Sequence, residues 1–257
     1  MMTRSSDNES YIFDTASVTH QGLVRKFNED SIFTNTKAGV WVVADGMGGH
    51  KDGNVASSMI AAAAQELSAQ TSMTAHVSQF QQQLQSVNRK LLSLSNGDSN
   101  AIIGSTVVAL LIHDNNYSCI WAGDSRCYLI RSGALSQISH DHTEVQELVD
   151  TGMITKDEAR TWPRRNVVTR AVGAHQDFQL ETVSGSLKAG DCFVLCSDGL
   201  TGHLEDQEIL DKVSWSSGQE ACDSLLSLAL ERGGKDNISI IIINIEPREA
   251  TAVVHRW

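Results

Sequence analysis

The sequence predicts an α+β fold built on antiparallel sheets. Short apolar, strand-like runs come in groups joined by tight turns, and the segments with helical periodicity come in pairs, a pattern opposed to regular βαβ alternation. With only two prolines, Pro163 and Pro247, and no Gly/Ser-rich linker, nothing divides the chain. Its 257 residues read as one large domain that can bury a sizeable core.

At the front, residues 11–19, 31–34 and 40–44 read as strands. Helices are expected over 54–70 and 74–94. In the second, Val77, Phe80, Leu84, Val87, Leu91 and Leu94 recur at steps of three and four, the single apolar face of a helix lying on a sheet. Strand signals return at 105–112, 117–122 and 126–131, with Asp114-Asn115-Asn116 as the hairpin turn between the first two. A helical insert follows, its two starts marked by the capping-box pairs Thr143 with Gln146 and Thr155 with Glu158. Strands are then expected at 178–184 and 192–196, helices near 206–213 and 219–231, and a last strand at 238–245.

Charge excludes one class of function. Lys and Arg number 20 against 31 Asp and Glu, a formal net charge of −11, whereas phosphate-backbone binding needs clustered cations. The longest aliphatic runs, 107–112 and 240–243, fall far short of the roughly 20 residues of a membrane helix. The first ten residues lack the apolar centre of a secretory signal, so no membrane partner and a cytoplasmic location are expected. The odd set of five cysteines, mostly inside apolar runs, reads as buried thiols and not as disulfides or a zinc site.

The informative pattern is a recurrence of aspartates at strand ends. Three apolar runs finish in Asp plus a small residue: VWVVADG at Asp45, CIWAGDS at Asp124 and CFVLCSDG at Asp198. Asp236 stands just before the final strand in KDNISIIII. In antiparallel sheets the end of one strand lies beside the start of the next, so all four can share one edge. Singly, each Asp-Gly is a turn signal. Together, partly buried carboxylates repel one another and must be protonated or neutralised by cations, and oxygen-only ligands suit Mg²⁺ or Mn²⁺.

Two further segments bear on the same edge. Arg25-Lys26-Phe27-Asn28-Glu29-Asp30 brings two acids that can extend a metal shell and an arginine that can grip phosphate, although alone it reads as a solvated turn. Asp45-Gly46-Met47-Gly48-Gly49-His50 lacks Gly-Lys-Ser/Thr, which excludes a nucleotide P-loop. Its glycines let the backbone turn tightly and offer a carbonyl to a cation. His50 has two readings there, proton donor or ordinary exposed loop residue.

The ordered motifs R-x-x-N-E-D, A-D-G-M-G-G-H, G-S-T, A-G-D-S-R, S-D-G-L and K-D-N-I-S resemble the protein phosphatase 2C family, and in particular its stand-alone bacterial members. The resemblance runs from about residue 16 to 245 and implies two central antiparallel sheets between pairs of helices, with a binuclear metal centre at one edge. By motif, it implies that Asp45 bridges two Mn²⁺ or Mg²⁺ ions, that Gly46 offers its carbonyl to one, and that Asp198 and Asp236 bind the other. Glu29 and Asp30 match the acids that hold metal-bound waters, Arg25 the phosphate-binding arginine, and Asp124 a ligand of a third, weaker ion. Arg126 matches a structural position.

The implied reaction is hydrolysis of phosphoserine and phosphothreonine in proteins, opposing a Ser/Thr kinase, by water activated between the metals and without a covalent intermediate. Animal members carry a histidine where this chain has Met47, which cannot donate a proton, so the general acid is unassigned. The implied extents are an N-terminal extension over 1–13, a phosphatase domain over 14–246 with a flap near 141–170, and a tail over 247–257; a monomer is favoured. Lys156, Arg160, Arg164, Arg165 and Arg170 make the flap locally basic, either a guide for phosphopeptides or a solvated face. Competing functions are a catalytically silent phosphopeptide-binding module of the same fold and a hydrolase of small phosphorylated metabolites.

Overall fold

The computed structural model describes residues 11–48, 52–68, 70–95 and 103–248. One antiparallel sheet runs in the order β1 (Tyr11–His20), β11 (Ile238–Pro247), β10 (Cys192–Cys196), β7 (Arg126–Arg131) and β8 (Ala134–Gln137). The other runs β2 (Asp30–Asn35), β3 (Val40–Met47), β5 (Val107–His113), β6 (Asn116–Ala122) and β9 (Glu181–Ser186), with the short β4 (Gly104–Ser105) paired to the end of β3. Helices α1 (Asp52–Gln65) and α2 (Met73–Leu94) pack on the second sheet. Helices α5 (Asp198–Thr201), α6 (Asp206–Ser214) and α7 (Gly218–Glu231) pack on the first, and α3 (Glu144–Asp150) and α4 (Lys156–Arg160) form the insert.

Alternation along the strands builds the layers. In β3, Val40, Val42 and Ala44 pack toward Ile60 of α1 and Phe80 and Leu84 of α2. Trp41 and Val43 point the other way and meet Phe193, Leu195, Ile241 and Ile243 of the facing sheet. In β11, Ile240 and Ile242 turn toward Leu225 and Ala229 of α7. Each central strand is therefore buried on both faces, which is why 238–245 reads as a nearly unbroken isoleucine run without polar alternation. The result is the expected α+β architecture, helix over sheet over sheet over helix.

Four local expectations differ from the structure. The helix expected over 54–70 ends at Gln65, where the last turn tightens through a Leu67 N–H bond to the Ala64 carbonyl at 3.2 Å and buries Leu67. The strand expected at 178–184 starts at Glu181, because Phe178 is instead buried beside α2 and accepts a 3.1 Å bond from Gln85. Thr143 caps α3 by accepting from the Gln146 N–H at 3.2 Å, but the Gln146 side chain goes to Asp150, so that box is half made. Strand β1 pairs with β11 from Tyr11, which takes three residues of the expected N-terminal extension into the sheet. The Thr155–Glu158 box is complete, as are two that sequence reading did not single out, Glu205–Glu208 and Ser217–Glu220.

Among the described residues no helix is long and apolar enough to cross a membrane. What the fold does for function lies at one end of the space between the sheets. There β2 and β11 begin, β3 ends, and β10 runs out into α5.

Candidate metal and phosphate site

Asp30 and Asp45 are direct partners across the β2–β3 ladder, so their side chains leave the sheet on the same face. Asp30 is held from behind: its Oδ2 accepts from the hydroxyls of Ser197 at 2.8 Å and Ser239 at 2.7 Å. Asp45 is held through its backbone. Its N–H donates to Thr106 Oγ1 at 3.1 Å, its carbonyl accepts from Ser105 Oγ at 2.9 Å, and Thr106 Oγ1 shares a 2.7 Å bond with Ser125.

Asp198 opens α5 just after β10, within hydrogen-bonding reach of Asp45. Ser197 occupies the N-cap of α5 but makes no cap bond, its hydroxyl being spent on Asp30. Asp236 precedes β11 and accepts a 2.6 Å bond from Arg25 Nη2. Asp124 lies buried in the turn between β6 and β7 and shares a cleft of about 760 Å³ with Asp198 and Asp236. Glu29 is placed by its N–H donating to Asn237 Oδ1 at 2.8 Å, while the Asn237 amide donates to the carbonyls of Gln21 and Phe27.

Burial drives the electrostatics. Desolvation first, and neighbouring carboxylates after it, push Asp30 up to about 7 against the hydroxyls that favour its charged form. Desolvation and repulsion from Asp236 raise Asp198 to about 6. The same causes raise Asp45, repelled by Asp30 and Asp198, and Asp124, repelled by Asp198 and Asp141. Arg25 is raised by its bond to Asp236 and by the fields of Asp198 and Asp45, so it faces the same carboxylates.

These groups fit hard cations. Buried Glu29 Oε1, Asp30 Oδ1 and Asp198 Oδ1 have no hydrogen-bond partner, an arrangement that is costly unless something positive meets them. Among the described residues no three His, Cys, Asp or Glu side chains close on a common point. Acids in neighbouring pairs with spare oxygens suit ions that keep much of their water, as Mg²⁺ does.

The structure brings Arg25, Glu29, Asp30, Asp45, Asp198 and Asp236 to one end of the sheets and sets Asp124 at the adjoining cleft. Gly46 passes close to α1: its N–H bonds the Glu29 carbonyl at 3.2 Å, and a side chain there would strike the Gly53 carbonyl. Met47 ends β3 opposite Gly104, while Gly49 and His50 lie outside the described residues. Arg126 grips Asp141 at the flap root with bonds of 2.7 to 3.0 Å and also reaches Tyr128.

Of the basic flap residues, three are matched by acids: Arg160 with Glu205 at 2.8 Å, Arg164 with Glu144 at 2.7 Å and Arg170 with Glu181 at 2.6 Å. Lys156 and Arg165 line the cleft. The flap is thus less of a positive surface than its sequence suggests. Ser197, Ser239, Thr106 and Asn237 stand inside the quoted motifs, but sequence reading gave them no role; the structure makes them the supports of the acids and of the Arg25 loop. Ser239 carried a signal, as the polar residue in a strand of isoleucines.

The acidic motifs quoted from the sequence converge at this end of the two sheets. The chain belongs to the protein phosphatase 2C family, which residues 19–229 match. Its fold is similar to that of PppA of Pseudomonas aeruginosa, described as a key regulatory component of T6SS, with 41% identity, a TM-score of 0.84, and coverage of 91% of this chain and 97% of that one. The serine/threonine protein phosphatase PstP of Mycobacterium tuberculosis is 34% identical over 231 residues, 90% of this chain but only 44% of that protein's length. The catalytic domain of a PstP solved with two manganese ions has a TM-score of 0.82 and 32% identity, over 92% of this chain and 99% of that one.

Proposed function

We propose that the chain hydrolyses phosphate monoesters on phosphoserine and phosphothreonine proteins with Mn²⁺ or Mg²⁺, opposing a Ser/Thr kinase. The observation that carries this is the opposed pair Asp30–Asp45 with Asp198, Asp236 and three unpartnered carboxylate oxygens beside a half-exposed arginine. The relatives named as serine/threonine protein phosphatases, and the PstP domain holding two manganese ions, support it.

In this proposal Asp45, Asp198, Asp236 and the Gly46 carbonyl hold two ions, Glu29 and Asp30 hold their waters, and Asp124 serves a third. Bound divalent ions would supply Lewis-acid polarisation of the phosphoryl oxygens and a lowered pKa for the attacking water. The chain's own residues do the rest. Ser197 and Ser239 occupy one oxygen of Asp30, which leaves Oδ1 for a water. Asp236 fixes one guanidinium nitrogen of Arg25, and the remaining N–H groups are donors for the phosphoryl oxygens. Held charges aimed at the phosphoryl group stabilise the transition state without reorganising.

Hydrolysis of a phosphothreonine peptide with millimolar Mn²⁺ and with chelator is the test. Turnover that needs metal and is lost in Asp45→Asn and Asp236→Asn is expected. Phosphopeptide binding with no release of phosphate would instead favour a silent binding module.

A further inference from the structure

The loop between β1 and β2 exposes three large apolar side chains around Arg25. Leu23, Val24 and Phe27 are 65%, 66% and 52% exposed. Single exposed apolar residues are ordinary, but three within five positions, flanking the arginine that faces the acidic site, are not scattered.

The backbone of the loop is also pinned at the positions these side chains leave from. The Leu23 N–H donates to the Gly234 carbonyl at 2.7 Å, and Asn237 donates to the carbonyls of Gln21 and Phe27 at 2.8 and 2.9 Å. The Gly22 N–H donates to His20 Nδ1 at 2.9 Å. Gly22 itself adopts φ +77° and lies so close to the Asp236 carbonyl that a side chain would not fit. The loop is thus stapled to the turn that carries Asp236, and it holds Val24 next to Arg25 at a fixed distance from the acids.

Covalent geometry then limits what meets these residues. Neighbouring Cα atoms are about 3.8 Å apart, so in a chain that presents a phosphoryl group to Arg25 the residues flanking the phosphorylated one lie within reach of the adjoining Val24 and Leu23. Small phosphorylated molecules would not reach them.

We propose that Leu23 and Val24 form a recognition surface for apolar residues next to the phosphorylated Ser or Thr of a protein substrate. The inference rests on the phosphatase function proposed above and specifies its substrate class. Burying roughly half of a valine side chain is worth about a fivefold change in binding.

The experiment compares kcat/KM for two phosphothreonine peptides, identical except for Val and Leu or Ser and Ser on either side of the phosphothreonine. Wild-type protein should prefer the apolar peptide about fivefold, Val24→Ser and Leu23→Ser should each shrink the ratio, and Val24→Ile should retain it. Wild-type discrimination needs no variant, and a ratio within a single protein is insensitive to partial loss of fold. Equal rates on the two peptides, or a ratio unchanged in Val24→Ser, would overturn the inference. So would concentration-dependent dimerisation abolished by Val24→Ser, which would give the surface to a second copy of the chain. Turnover of p-nitrophenyl phosphate separates the two levels: its absence overturns the phosphatase proposal and this one together, whereas turnover without peptide discrimination overturns only this one.

Discussion

Asp30 and Asp45 face each other as a cross-strand pair, with the Oδ2 of Asp30 clamped by two serine hydroxyls and its Oδ1 buried without a partner. Like charges directly opposite destabilise a ladder, so this pair lowers stability unless a proton or a cation sits nearby.

Metal should therefore stabilise the folded protein. Ligand at a hundredfold excess over its Kd contributes about 2.7 kcal/mol, so Mn²⁺ should raise Tm by several degrees relative to chelator. Asp45→Asn removes one of the repelling charges. It should melt at or above the wild-type temperature in chelator and gain little from Mn²⁺. A full Mn²⁺ shift in Asp45→Asn, read by calorimetry, would remove Asp45 from the metal site.

Without metal, stability should fall as pH rises. Asp30 sits at about 7 in the folded chain against an ordinary 3.8, and Asp198 at about 6. An acid whose pKa is raised by folding favours the folded state while it is protonated. That contribution is complete below about 4 and is lost as pH rises through about 6 and 7. In chelator, Tm should drop across this window, and Asp30→Asn should flatten the drop. A Tm that climbs from pH 4 to 7 in chelator would contradict the assigned sign.

The strand-end aspartates were legible because each is a charged residue bordering an apolar run, three closing one and Asp236 preceding one. The fold class was legible in the grouping of strand-like and helical runs, whereas the isoleucine run at 238–245 is explained only by the two faces that the structure buries. The supports were not legible. Asn237 looks like a turn residue beside Asp236, yet its side chain staples the Arg25 loop through three backbone groups more than 200 positions away. Such contacts depend on which strands become neighbours, and β1–β11 pairing of opposite ends of the chain has no local signature. The pairing of the flap was not legible either, because Glu205, the partner of Arg160, lies outside the insert.

Arg25 should matter to phosphate and little to folding. It is half exposed, and its ion pair with Asp236 is solvent-screened. Charged hydrogen bonds are worth about 1.5–3 kcal/mol, so Arg25→Ala should lower kcat/KM about ten- to a hundredfold and weaken inhibition by inorganic phosphate in step. Arg25→Lys should recover only part of this, since an ammonium cannot bond Asp236 and two phosphoryl oxygens as a planar fork does. Unaltered phosphate inhibition in Arg25→Ala would take the residue out of the site.

Gly46 is the position where packing and metal binding should separate least. An added Cβ would collide with the Gly53 carbonyl oxygen and lie 2.6 Å from that of Glu29, and both obstacles are backbone. No side chain can swing aside, so Gly46→Ala must push α1 away from β3 or move the Glu29–Asp30 segment. Overpacking of this kind costs about 1–3 kcal/mol. Because Glu29 and Asp30 belong to the acidic set, the displacement should also reduce the gain from Mn²⁺. Urea titrations in chelator and in Mn²⁺ measure the two effects separately. A variant that lost stability in chelator but kept the full wild-type Mn²⁺ increment would show that the close approach of strand and helix serves the fold alone.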